Sequence, residues 1–284
     1  MDKDAITKQT LDKYSAYKEK IAKLRPIDDC FFEKLAEDPG VCEEILRVIL
    51  EDPGLKVLRV TPQNSIRNLL GRSVRLDALC DTTDRGRCNI EIQRAGHDDH
   101  FRRVRFNASC ITANITEPGI AFKEVPDVCI VYITESDILK KGRTIYHVGM
   151  MDAETGTRID DGLSCVYVNT EIDDGTEISE LMQCFMEEDV ANPKFPNLVR
   201  RMSYFKNNEN GVYEMCKVLE EVKEEGREEG REEGRKEGRQ QGIIQIGRQH
   251  GFTDHIIIED LMNYCKYTYE QAIKALKAYD AAHL

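Results

Sequence analysis

The chain has 284 residues, 40% of them apolar and 32% charged, with no tryptophan and a formal net charge of −12. That length suits one sizeable domain with extensions, and no apolar run approaches the roughly 18 to 20 residues of a bilayer span, so no membrane partner is expected. The net acidity argues against a nucleic-acid partner, because phosphates are held by Lys and Arg, unless the charge is unevenly distributed.

Residues 1–24 are polar, begin MDKDAITKQT without the apolar stretch of a secretory signal, and read as a loose leader. From Asp28 or Asp29, DDCFFEKLAED reads as a helix with an acidic cap, closed by a Pro39-Gly40 break. A second helix, VCEEILRVILED, places Val41, Ile45, Val48 and Ile49 at helical spacing and stops at Pro53-Gly54. LKVLRVT, GRSVRLDALCDTT and RCNIEIQRA then read as strands, with Thr82 to Gly86 as a hairpin connector. A helix over about 98–114, a buried strand in VPDVCIVYI, strands in GRTIYHVGMMD and LSCVYVNT, and a helix in EISELMQCFMEED follow. Strands flanked by helices predict one α/β domain over residues 25–195.

Residues 196–242 read as one long charged helix or arm ending in EEGREEGREEGRKEGRQQG. A four-residue glycine period winds around an α-helix instead of lining one face, and no apolar a/d seam drives a coiled coil. Residues 243–284 read as a small helical hairpin, and the C-terminal helical region as a whole is the candidate surface for self-association. Ten cysteines are scattered without a C-x-x-C spacing, most within apolar segments, which predicts reduced, buried thiols in a cytoplasmic protein.

The chemistry is concentrated in SVRLDALCDTTDRGRCNIEIQRA. Alternation along a strand puts Glu91 and Gln93 on one face and Ile90 and Ile92 on the other. Pairing across the hairpin brings Asp77 beside Glu91, and two converging carboxylates suit Mg2+ or Mn2+, with a third polar group to orient water or a phosphate. A lone strand Asp beside a turn is an ordinary edge carboxylate. Asp77 between Leu76 and Leu79, and Glu91 between Ile90 and Ile92, are acids in apolar runs that need a partner or a metal. The His97-Asp98-Asp99-His100 cluster, just after a Gly turn, reads as a solvated surface.

Asp77 followed after the hairpin by Glu91-Ile92-Gln93 resembles the PD-(D/E)XK phosphodiesterase superfamily, and Asp28-x-x-Phe31 with Leu35 resembles the helix opening of its recombination-promoting nuclease and transposase branch. HFRRVRFNASC matches that branch's Arg-rich helix through Arg102, Arg103, Arg105 and Phe106. The resemblance covers about residues 24–190 and implies a restriction-endonuclease-like mixed sheet flanked by helices, with a charged helical C-terminal extension. It further implies Mg2+- or Mn2+-dependent hydrolysis of DNA. Asp77 and Glu91 would be the metal ligands, Gln93 and Asp28 catalytic partners, and Arg75, Arg94, Arg102, Arg103 and Arg105 the DNA contacts.

Two departures matter: Gln93 stands where the wider superfamily has Lys, as is common in this branch, and Phe106 where a Tyr is usual. Without the lysine's charge at the phosphate, a degenerate nuclease fold acting as a DNA-binding or assembly scaffold is the alternative. Asp28 and Asp29 each have a Phe three residues on, and the choice between them stays open. Between Arg59 and Cys110 there are ten arginines, no lysines and six acids, 10 − 6 = +4, so a local cationic surface lies within an acidic chain.

Overall fold

The computed structural model describes residues 15–66, 73–94 and 99–283, and the chain divides between Leu219 and Glu220 into two units. In the first, β1 (Val57–Ile66), β2 (Val74–Thr82), β3 (Arg87–Gln93), β4 (Val128–Thr134), β5 (Ile145–Val148) and β6 (Leu163–Asn169) form one six-stranded sheet ordered β1-β2-β3-β4-β6-β5. The strands β1 to β3 form an antiparallel meander, β3, β4 and β6 run parallel, and β5 returns antiparallel at the edge. All seven residues of β4 are buried, as the continuous apolar run VCIVYIT requires of a parallel strand covered on both faces. With helices on either face, this is the α/β arrangement expected.

One face is packed by α1 (Asp29–Ala36), α2 (Pro39–Ile49), α4 (Glu177–Met186) and α5 (Pro196–Asn207); the other carries α3 (His100–Ile115). Phe31, Phe32, Phe185 and Phe205 fill the first interface against Ala78, Cys80, Ile90 and Ile92. Each such side chain contributes roughly 1.5–3 kcal/mol through burial. The expected Pro39-Gly40 break is instead the start of α2, because Pro39 occupies the first helical turn and the Asp38 carboxylate accepts from the Gly40 N–H at 2.9 Å.

Two further expectations change. Residues 1–14 of the leader lie outside the described residues, but 15–22 are helical and bury Tyr17 and Ile21 in the core. The single helix expected over residues 196–242 is two, α5 and α6 (Glu209–Gln249), separated at Asn208. The Asn208 side chain accepts from the N–H groups of Asn210 and Gly211, and the chain turns tightly enough that a Cβ on Gly211 would collide with the Tyr204 carbonyl oxygen. Leu198, Met202, Phe205, Val212 and Met215 join the sheet's core across this break.

The second unit holds the glycine-repeat part of α6, α7 (Asp254–Cys265) and α8 (Tyr269–His283), with Ile244, Ile257, Leu261, Ala272 and Leu276 as its core. Apart from the adjoining residues and the helix's own nearby backbone, nothing lies within 4 Å of where a Cβ would stand on Gly226, Gly230, Gly234, Gly238 or Gly242. All ten cysteines are free thiols, and among the described residues no helix is long and apolar enough to cross a membrane.

Candidate active site

The β2–β3 hairpin turns through Thr82 to Gly86, where the Thr82 N–H and hydroxyl both donate to the Gly86 carbonyl, at 3.1 and 2.9 Å. Its ladder runs from the Asp81–Arg87 pair to Ala78–Ile90 and ends there, one step before Asp77 and Glu91. Beyond that point the Asp77 carboxylate takes over from the ladder, accepting from the Ile92 N–H at 2.8 Å. Across β1, Gln63 lies between the Pro62–Ala78 and Asn64–Leu76 pairs with φ +48°, a left-handed backbone uncommon for a residue with a Cβ. The strand's two-residue alternation slips here: Ala78 and Cys80 pack toward α1 and α2, whereas Leu76 and Leu79 both pack toward α3. Asp77 is therefore half-buried at a kink, and Glu91, 4% exposed, lies on the adjoining strand.

Burial raises both carboxylates above their usual range. At Asp77 the Ile92 N–H opposes the shift, the charge of Asp29 adds to it, and Arg103 and Arg75 oppose it. At Glu91 the nearby Asp77 adds to burial, and the Asn89 amide, donating to Glu91 Oε1 at 2.6 Å, opposes it. Such a pair is electrostatically short of a cation.

A cleft of about 500 Å3 opens over Glu91, lined also by Arg75, Asp99, Arg102, Arg103 and Asn107. Arg102, Arg103, Phe106 and Asn107 share one face of α3 by their spacing. Three of the five expected arginines thus border the cleft. Arg94 instead pairs with Asp28 at 3.0 Å and Glu135 at 3.3 Å, and Arg105 lines a separate groove with Phe101, Met150 and Tyr167. Gln93 follows Glu91 on the same face and donates its amide to the Arg94 carbonyl at 3.1 Å. Arg67, Arg72, His97 and Asp98 lie outside the described residues.

The helix acids separate. Asp28 is engaged by the Arg25 N–H at 2.8 Å and by the Arg25 and Arg94 guanidinium groups. Asp29 begins α1, and its negative charge bears on Asp77; burial raises its own pKa, with Arg94 opposing. One turn on, Glu33 accepts from Gln63, which in turn accepts from Arg75.

Sequence reasoning missed the floor of the site. Tyr132, paired in register with Glu91 on β4 and 1% exposed, meets His100 Nδ1 through its hydroxyl at 3.1 Å. His100 is thus not simply part of a solvated surface. Asn89 and Asn107 are buried beside Glu91 and the cleft. A polar residue inside the apolar strand RCNIEIQ was the available signal for Asn89; nothing local marked Tyr132, whose neighbour comes from a distant strand.

Among the described residues no three His, Cys, Asp or Glu side chains gather into a metal cage. Glu91 in the cleft, with Asp77 close by, still suits a divalent cation such as Mg2+, which is commonly held by one or two carboxylates together with water and substrate phosphates. A protein-family model described as PD-(D/E)XK nuclease family transposase matches residues 44–237, more than half of the chain. No curated protein and no solved structure matches it.

Proposed function

Since the chain belongs to the PD-(D/E)XK nuclease family transposases, we propose that it is a divalent-metal-dependent DNA endonuclease whose phosphodiester hydrolysis serves recombination or transposition. The observation that carries this reading is the pair of raised carboxylates, Asp77 and Glu91, at adjoining strand positions, with Glu91 lining a cleft bordered by Arg75, Arg102 and Arg103. Asp77 and Glu91 hold the cation, Mg2+ or Mn2+. When bound, it supplies Lewis-acid polarisation of the scissile phosphate and acidifies water. Arg102 and Arg103 grip the DNA backbone from α3, and Arg75 from β2. Gln93 orients the attacking water or the phosphate through its carboxamide, without charge, so charge at the phosphate rests on the arginines and the cation. Asp29 is the helix acid that assists Asp77, and Asp28 braces Arg94 and Arg25 behind it.

Supercoiled plasmid incubated with the full chain and Mg2+ should be nicked or linearised. Asp77→Asn and Glu91→Gln, which keep size and fold, should each lower the rate at least about 100-fold, since even the outer-shell partners of a metal ligand are worth 10- to 100-fold. Undiminished cleavage by either purified variant overturns the assignment. The uncharged Gln93, with its amide held by the Arg94 carbonyl, favours a second reading, a DNA-binding scaffold on a nuclease fold. Duplex binding without cleavage in Mg2+ or Mn2+ would select that reading.

A further inference from the structure

Asn89 lies on β3 two residues before Glu91, fully buried, with Leu79 of β2 and Ile130 of β4 as its register partners. Both neighbours belong to the apolar layer under α3. An aliphatic residue would suit that layer. Instead an amide sits there, and its Oδ1 is the one buried side-chain oxygen or nitrogen among the described residues without a hydrogen-bond partner. Leaving a buried carbonyl unmatched is unfavourable, so packing does not account for asparagine at this position. The polar contact the side chain does make is with Glu91, Nδ2 donating to Oε1 at 2.6 Å.

Glu91 needs such a restraint. The β2–β3 ladder ends at the Ala78–Ile90 pair, so Glu91 stands where β2 no longer pairs with its strand. A glutamate has three side-chain torsions, the last of them broad, and one hydrogen bond from a rigid, buried donor removes most of that freedom. We propose that Asn89 is a positioning residue, which orients the Glu91 carboxylate for a divalent cation, and that its unmatched carbonyl is retained for that purpose. The inference rests on the reading of Glu91 as a cation ligand. Partners that orient a ligating carboxylate typically change metal affinity 10- to 100-fold when removed.

The test is titration calorimetry of the full chain with Mn2+ alone, beside thermal unfolding without metal. Asn89→Leu should weaken Mn2+ binding about 10- to 100-fold, while the metal-free unfolding temperature changes little, because removing the unmatched carbonyl offsets the hydrogen bond lost by Glu91. Asn89→Ala should weaken Mn2+ binding similarly, which keeps the test available if leucine does not fit. Leu79→Ala, a cavity at the register partner without the hydrogen bond, should lower the unfolding temperature and leave Mn2+ affinity within about twofold, on the expectation that cavity costs are local. If both Asn89 variants bind Mn2+ as the wild type does while Glu91→Gln does not, the positioning role falls and Glu91 keeps its own. If the wild type binds no Mn2+, or Glu91→Gln binds it equally well, the ligand reading falls and this proposal with it.

Discussion

On one face of β3, Ile90 and Ile92 enter a core walled by α1, α2, α4 and α5; on the other, Asn89 and Glu91 lie under α3, the one helix contributing to that face's core among the described residues. The first face is sealed by aromatic side chains and holds the sheet in shape. The second is incompletely covered, and the cleft opens where α3 begins. A single strand with a two-residue alternation thus separates stability from chemistry: residues of one parity can be apolar without harm to the site, while those of the other carry polar groups that the fold does not need.

Phe205→Ala should show the largest effect on stability. Its ring is fully buried on α5, with a centroid 6.2 Å from that of Phe31 in an edge-on contact. Truncation should cost about 3–5 kcal/mol in chemical denaturation. The variant should keep its Mn2+ affinity at temperatures where it stays folded. Equal loss of metal binding would mean that the two faces are not separable.

A smaller effect, opposite in kind, comes from the acids. The folded-state pKa values of Asp77 and Glu91 are raised, so across that window the folded protein holds protons that the unfolded chain has released. The resulting stabilisation is fully present below the unfolded carboxylate values near about 4 and is lost as pH rises through neutrality. The metal-free protein should therefore unfold at lower denaturant at pH 8 than at pH 5. Asp29, Glu33 and Glu44, whose pKa values burial also raises, contribute in the same direction, so the comparison must be made by difference. The Asp77→Asn, Glu91→Gln double variant should be less sensitive to pH than the wild type and more stable than it at pH 8. Mg2+ should recover part of the wild-type loss at pH 8 and none of the variant's. An unchanged pH dependence in the double variant would remove the acids as its cause.

What could be read in advance follows the same division. Alternation in RCNIEIQ and the turn at Thr82 to Gly86 are local, so the convergence of Asp77 and Glu91 was accessible from sequence. The kink opposite Gln63 was not, because no local pattern marks the left-handed backbone of this residue between two β2 pairs. Nor was the fate of Arg94, whose partners Asp28 and Glu135 reach it from the cap of α1 and from the loop after β4. The Pro39-Gly40 pair was readable as punctuation, but a proline opens a helix as readily as it ends one, and Asp38 decided the matter. Asn208 likewise offered a cap inside what patterning alone rendered as one long helix.

The smallest expected effect distinguishes arginines within α3 itself. Arg103 borders the cleft over Glu91, while Arg105 lines a separate groove with Phe101, Met150 and Tyr167. If DNA follows the cleft, Arg103 contacts a phosphate and Arg105 acts only at a distance, through a field that about 10 Å of screening at 0.1 M salt largely removes. Fluorescence anisotropy of a labelled duplex over a KCl series measures this directly. For Arg103→Ala, the slope of log K against log salt should fall by about 0.9, the value of one lost phosphate contact. Arg105→Ala should leave that slope nearly unchanged and lower affinity only slightly at low salt. Equal slopes for the two variants would mean that the duplex lies across α3 instead of along the cleft, and that the incompletely covered face of the sheet is a wider binding surface than its acids mark out.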